Sequence, residues 1–160
     1  MKNIEKSAFR NDAVAKVTGR ARYADDLKFP GMLHCVPVYS RYVRADDLAV
    51  DPREAEAFPG VILVITAKDV PGSIYCGQIE TDYAMLADSR ILTYGDVVAL
   101  VVAETREIAL EAAKRVRVTA TPLPPVTDPM AAMRPDAPVI RPGTKNNIVN
   151  HHKIRRGNAQ

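Results

Sequence analysis

The sequence predicts an α+β domain, a mixed sheet with two main helices, and three stretches carry that prediction. Val61 to Thr66 (VILVIT) and Asp96 to Ala103 (DVVALVVA) are short apolar runs rich in β-branched residues, and the second leads directly into an amphipathic helical stretch. The size fits one domain: a chain of about 150 residues buries roughly 70% of the surface its unfolded form exposes. At 47% hydrophobic and 26% charged residues, disorder and fibrous classes are disfavoured.

Taken in order, Arg10 to Asp26 mixes charged and small residues, and Thr18-Gly19 marks a turn into a short strand expected at Arg20 to Ala24. After Pro30-Gly31, Met32 to Tyr39 reads as a strand that Pro37 pushes toward an edge or a bulge, because proline cannot donate to a ladder. Asp51 is placed to cap a brief helix, with Pro52 at its first position, that Pro59-Gly60 ends. The continuous run VILVIT predicts a central strand covered on both faces. Ala67 to Val70 can form one turn capped by Thr66, and Pro71 to Arg90 reads as loop with short strands.

The helix after Asp96 to Ala103 has the most signals. Thr105 caps it, Glu107 sits in its positive first turn, and Lys114, Arg115 and Arg117 lie near its negative end. Ile108, Ala109, Ala112, Ala113 and Val116 share one face at helical spacing, and the alanines imply close packing on a sheet. Glu111 and Arg115 are spaced for an i, i+4 ion pair. Leu110 falls off the apolar stripe, where it is free to contact a neighbour. Arg117 to Thr121 returns as a strand, and a short helix follows at Pro129 to Met133 within a proline-rich stretch.

The folded body is thus assigned to residues 1–142, and residues 143–160 form a basic, asparagine-rich tail with few apolar anchors, mobile by itself. The formal charge of +3 comes from this end. Arg141, Lys145, Lys153, Arg155 and Arg156 face no acid after position 140, which leaves the body with slightly more acidic than basic groups. Such a body lacks the basic face with interleaved aromatics of a nucleic-acid module. The start of the chain shows no signal-peptide core, the longest apolar run (Val97 to Ala103) is far below the ~20 residues that span a bilayer, and Cys35 and Cys76 form no CxxC pair. A cytoplasmic protein with reduced thiols is expected.

No constellation for independent catalysis is well formed, and the site assignment is accordingly none for catalytic, cofactor-binding and metal positions. His34 fits a packed or edge position in a strand better than a catalytic one, and His151-His152 lie adjacent in a tail, where extended neighbours point apart. The acidic pairs Asp25-Asp26 and Asp46-Asp47 and the stretch Glu80 to Asp82 could bind a cation or support a small hydrolase, but turn and surface roles are commoner. Cys35 and Cys76 are expected to be buried packing residues. The glycines form neither a GxGxxG nor a GxxxxGK[ST] cradle.

Several segments nevertheless match a known pattern. Asp12 to Asp26 (DAVAKVTGRARYADD) with Pro30 to Leu33 comes first, then Phe58-Pro59-Gly60-Val61 and Thr66 to Pro71. Tyr94 to Ala99 with Ala103-Glu104-Thr105, Ala109 and Ala112-Ala113 follows, and then Leu123 to Val126. In this order they resemble the N-terminal α/β hammerhead domain of the molybdenum-binding subunit in the xanthine dehydrogenase and aldehyde oxidase family, with the bacterial purine hydroxylases nearest. Asn147-Ile148-Val149 and Arg156-Gly157-Asn158 are similar to the linker and turn at which that family's molybdopterin-binding region begins. Ser40 to Asp47 departs from the family's Ser-Pro-x-x-His-Ala-Arg-Ile stretch, lacking its proline and the arginine after alanine.

The resemblance implies a non-catalytic scaffolding part of an enzyme that oxidises purines, other heterocycles or aldehydes with water as oxygen source. It implies no cofactor in this chain. Molybdopterin would sit in the remainder of the large subunit, with iron-sulfur and possible FAD parts as further partners, and an exposed apolar patch is the expected sign of docking. A contrasting reading is a free-standing module whose basic tail grips a polyanion.

Overall fold

The computed structural model describes residues 10–78, 80–141 and 143–157. Contacts divide the chain into two units, Met1–Met32 and Leu33–Gln160.

In the first unit Ala13–Val17 forms a short helix, α1. Asp12, just before it, is bonded by Arg10 at 2.5 Å and by Lys16 at 2.7 Å, which holds its carboxyl below the usual range. The strand expected at Arg20 to Ala24 does not form. The Asp26 carboxylate accepts from the Tyr23 amide at 2.9 Å, and this local bond draws Ala24–Asp26 into a 3₁₀ turn.

The second unit is organised around β6 (Val97–Ala103), the central strand of a three-stranded antiparallel sheet. On one side it pairs with β1 (His34–Tyr39) and on the other with β3 (Val61–Thr66). Pro37 lies in an edge strand, and the register shifts at Val38/Tyr39, both as proline predicts. VILVIT is a correction: β3 is the other edge and not the centre, with Ile62 50% and Leu63 43% exposed. An apolar run reports that both faces want cover, not where the strand sits in a sheet.

The α+β class holds, with the strands divided among three antiparallel sheets. β2 (Ala45–Asp51) pairs with β7 (Arg117–Pro122), and the two-residue strands β4 (Tyr75–Cys76) and β5 (Tyr83–Ala84) pair with each other. β2 begins within the last three residues of the stretch that departs from the family pattern. It forms regardless, with a register shift around Asp47, whose φ of 55° lies in the left-handed region that aspartate tolerates.

The two expected helices are α2 (Arg53–Glu56) and α3 (Arg106–Ala113). Pro52, not Asp51, occupies the N-cap of α2, and Asp51 accepts from the Arg53 amide at 3.2 Å from one residue earlier, while Thr105 caps α3 through the Ile108 amide at 3.2 Å. The turn before β3 needs Gly60: its φ is +85°, and a Cβ there would lie 2.7 Å from Ile108 Cδ1. Ala109 and Ala112 are fully buried against the sheet, as the alanine stripe predicts. The expected Glu111 to Arg115 pair is absent. Lys114 takes Glu111 at 2.5 Å, while Arg115 lies over the Phe58 ring at 4.7 Å, where the ring face attracts a cation. The last helix, α4 (Pro129–Ala132), starts at Asp128, which accepts from Met130 N at 2.8 Å.

The core has two parts. Ala55, Val64, Ala99, Val101, Ala103, Ala109, Ala112 and Val116 form the cluster between α3 and the sheet. Ala45, Leu48, Ala87, Ile91 and Val98 form the second, and Val38, Val50 and Val118 pack against both. Fully burying a side chain such as Val101 stabilises by about 1.5–3 kcal/mol. None of the helices described is long and apolar enough to cross a membrane.

Candidate docking surfaces

Residues directly opposite each other in an antiparallel ladder point to the same side of the sheet. The β1-β6-β3 registers therefore sort the regularly paired side chains by face, leaving out Ile62 and Val98 at the register shifts. His34-Ala103-Val61, Val36-Val101-Val64 and Val38-Ala99-Thr66 form three rungs on one side, and most of their apolar members pack with α3. The intervening rungs, Cys35-Val102-Leu63 and Pro37-Leu100-Ile65, point the other way. None of these six side chains belongs to either buried cluster. Cys35 and Leu63 are exposed, and Pro37, Ile65, Leu100 and Val102 are half-buried. An antiparallel sheet facing water normally alternates apolar with polar residues, so an uncharged outer face is the pattern of a surface meant to be covered.

A second concavity, of about 450 Å³, opens between β1 and the end of α3. Val36, Val38, Tyr42, Leu110 and Val118 are among its walls, and Arg41 and Lys114 stand at it too. Leu110, the residue off the helical stripe, is 40% exposed there.

A third region joins β4 and β5 to the stretch after α4, where concavities of about 580 and 380 Å³ share Tyr75, Asp82, Ile140 and Arg141. Asp82 pairs with Arg141. The Asn147 amide nitrogen donates to the carbonyls of Ala132 and Pro138, both at 3.0 Å, while its oxygen accepts from Ile140 N at 2.8 Å. One asparagine thus ties its own stretch to the end of α4 and to the chain leading away from it.

Three of the acidic residues weighed as chemical groups serve local structure. Asp26 holds its 3₁₀ turn, Asp46 pairs with Arg90 at 3.2 Å, and Asp82 pairs with Arg141. Asp69 accepts from both the amide and hydroxyl of Thr66 at 2.7 Å, which lowers its pKa, the amide bond being the larger cause. Asp51 is pulled down to about 2, first by its bonds to the Arg53 guanidinium and then by the Arg53 amide. In Asp51 and Asp69 these bonds favour the charged carboxylate, the opposite direction from a group tuned toward neutrality for proton transfer.

His34 is half-buried in an edge strand, and His151 and His152 are exposed. Cys35 corrects an expectation: it is exposed because it points to the outer face, while Cys76 is half-buried. Among the described residues no three His, Cys, Asp or Glu side chains converge as a metal-binding group. The described cysteines, Cys35 and Cys76, lie on different strands and do not form the cysteine cluster that holds an iron-sulfur centre. The outer sheet face is not marked as a site in the sequence. Its one signal is the unbroken apolar character of β3 and β6, which becomes readable once the register is known.

The described fold is thus a capped helix packed on one side of a three-stranded antiparallel sheet, with an apolar, partly exposed opposite side. The family model for the aldehyde oxidase and xanthine dehydrogenase α/β hammerhead domain matches residues 18–124. The chain is 38% identical over 144 residues to the carbon monoxide dehydrogenase large chain of Afipia carboxidovorans, covering 86% of this chain and 17% of that one. It is 40% identical over 131 residues to a probable xanthine dehydrogenase subunit of Bacillus subtilis, covering 82% and 18%. The solved aldehyde oxidoreductase of Desulfovibrio gigas superposes with a TM-score of 0.80 at 36% identity, covering 85% of this chain and 16% of that one. The chain belongs to the aldehyde oxidase and xanthine dehydrogenase family, as its α/β hammerhead domain, and spans less than a fifth of the length of these relatives.

Proposed function

We propose that this chain is a non-catalytic scaffolding domain of a cytoplasmic molybdenum hydroxylase. The observation that carries this reading is the uncharged outer sheet face, in a chain that belongs to a family of much longer proteins. The domain supplies a rigid body with apolar surface, against which the molybdopterin-binding remainder of the large subunit and the iron-sulfur and flavin parts assemble. It donates no reacting group. The parent enzyme hydroxylates a heterocycle or aldehyde with water as oxygen source. Relatives of similar identity are named for carbon monoxide dehydrogenase, xanthine dehydrogenase and aldehyde oxidoreductase, so the substrate is set outside this domain.

The test is metal analysis and dye-coupled oxidation of xanthine and benzaldehyde by the purified 160-residue chain, beside material recovered with it from its native cell. Expected is a chain free of molybdenum and inactive alone, recovered from the cell with molybdenum-containing polypeptide. Stoichiometric molybdenum in the isolated chain, or turnover by it, overturns the reading.

A further inference from the structure

We propose that the outer face of the β1-β6-β3 sheet, and not the α3 groove, is where the molybdopterin-binding remainder of the large subunit packs. This rests on the scaffolding reading and adds the surface and its occupant. The two rungs Cys35-Val102-Leu63 and Pro37-Leu100-Ile65 carry no charged side chain. Interfaces between permanently associated bodies are the more hydrophobic ones, resembling a core cut in half. The groove at Leu110 is instead flanked by the charged side chains of Arg41 and Lys114.

The edges of the sheet point the same way. β1 is blunted by Pro37, while β3 has no proline and pairs on one side only among the described residues. Ile62 and Leu63, the most exposed large side chains of β3, lie where its register shifts. An occupant covering β3 and the outer rungs would remove both the open edge and the apolar face. The relatives are more than five times longer than the part this chain matches, so a body large enough to do so belongs to the same subunit.

The test places a photo-crosslinking amino acid at position 63, and separately at position 110, in the chain as expressed in its native cell, with crosslinked peptides identified by mass spectrometry. Crosslinks from position 63 to molybdopterin-binding sequence, on the same or a separate polypeptide, are expected. Crosslinks from position 63 only to an iron-sulfur polypeptide, a flavin polypeptide or a second copy of this chain overturn the inference. If position 110 alone reaches molybdopterin-binding sequence, the face is wrong and the scaffolding reading stands; if neither position reaches it, both fall. As a second measurement, Leu63→Asp should weaken association with that sequence at least tenfold without moving the thermal midpoint of the chain. Unchanged association overturns the inference.

Discussion

The two faces of the β1-β6-β3 sheet come from the same three strands and nearly the same residue types, yet they behave as different materials. On one, Val36, Val64 and Val101 meet the alanines of α3, and the small side chains let the helix sit close. On the other, Leu63, Ile65, Leu100 and Val102 are at least as large and apolar but have no buried cluster around them. Hydrophobicity alone therefore does not make a core. What converts an apolar strand face into stabilisation is a partner of matching shape, and α3 supplies one for a single side.

The sharpest way to break this comparison is to put the same charge on each face. Val101→Asp leaves an unpaired carboxylate in the interior and should cost more than about 4 kcal/mol, seen as loss of the cooperative urea transition. Leu63→Asp should change the isolated chain's stability by no more than about 0.5 kcal/mol in the same measurement. Equal losses would erase the distinction between the faces. Next in size, Ala109→Leu overfills the helix-sheet contact and should lower stability by about 1–3 kcal/mol in urea unfolding. Thr105→Ala removes the cap that fixes where α3 starts and should cost about 1 kcal/mol by the same assay.

The smallest effect lies off both faces. Asp51 has its pKa lowered to about 2 by Arg53, against 3.8 ordinarily, so the folded state favours its charged form. Its contribution is complete above about pH 4 and is lost as the pH falls toward 2. Asp51→Asn should flatten that part of the acid dependence, checked by urea midpoints at pH 7, 4 and 2.

How far the sequence could be read follows the same division. α3 was legible because its cap, charge order and alanine stripe agree, and β6 because an apolar run ends directly at that cap. β2 was not: Asp46-Asp47 reads as a turn, and the shift around Asp47 breaks the alternation of Ala45, Leu48 and Val50. α1 was missed because Val14 and Val17 are exposed, leaving no buried stripe to show a period. The position of β3 was misjudged because its second apolar face is written for a cover that the described residues do not supply. No ligand-like pattern marked a site, since a docking face is spread over three strands far apart in sequence and exists only through their register.

That same register has a consequence in time. β1 ends at Tyr39, but the strand that pairs with it begins at Val97, and β3 waits for the same partner. At roughly 5–20 residues per second of synthesis, β1 stands unpaired for about 3–12 s while the intervening chain is made. During that interval the nascent protein holds apolar strands with no sheet to join, so Pro37 is placed where premature pairing is most open to it. The late arrival of one strand means that β1 and β3 can join a sheet only after Val97–Ala103 has been made.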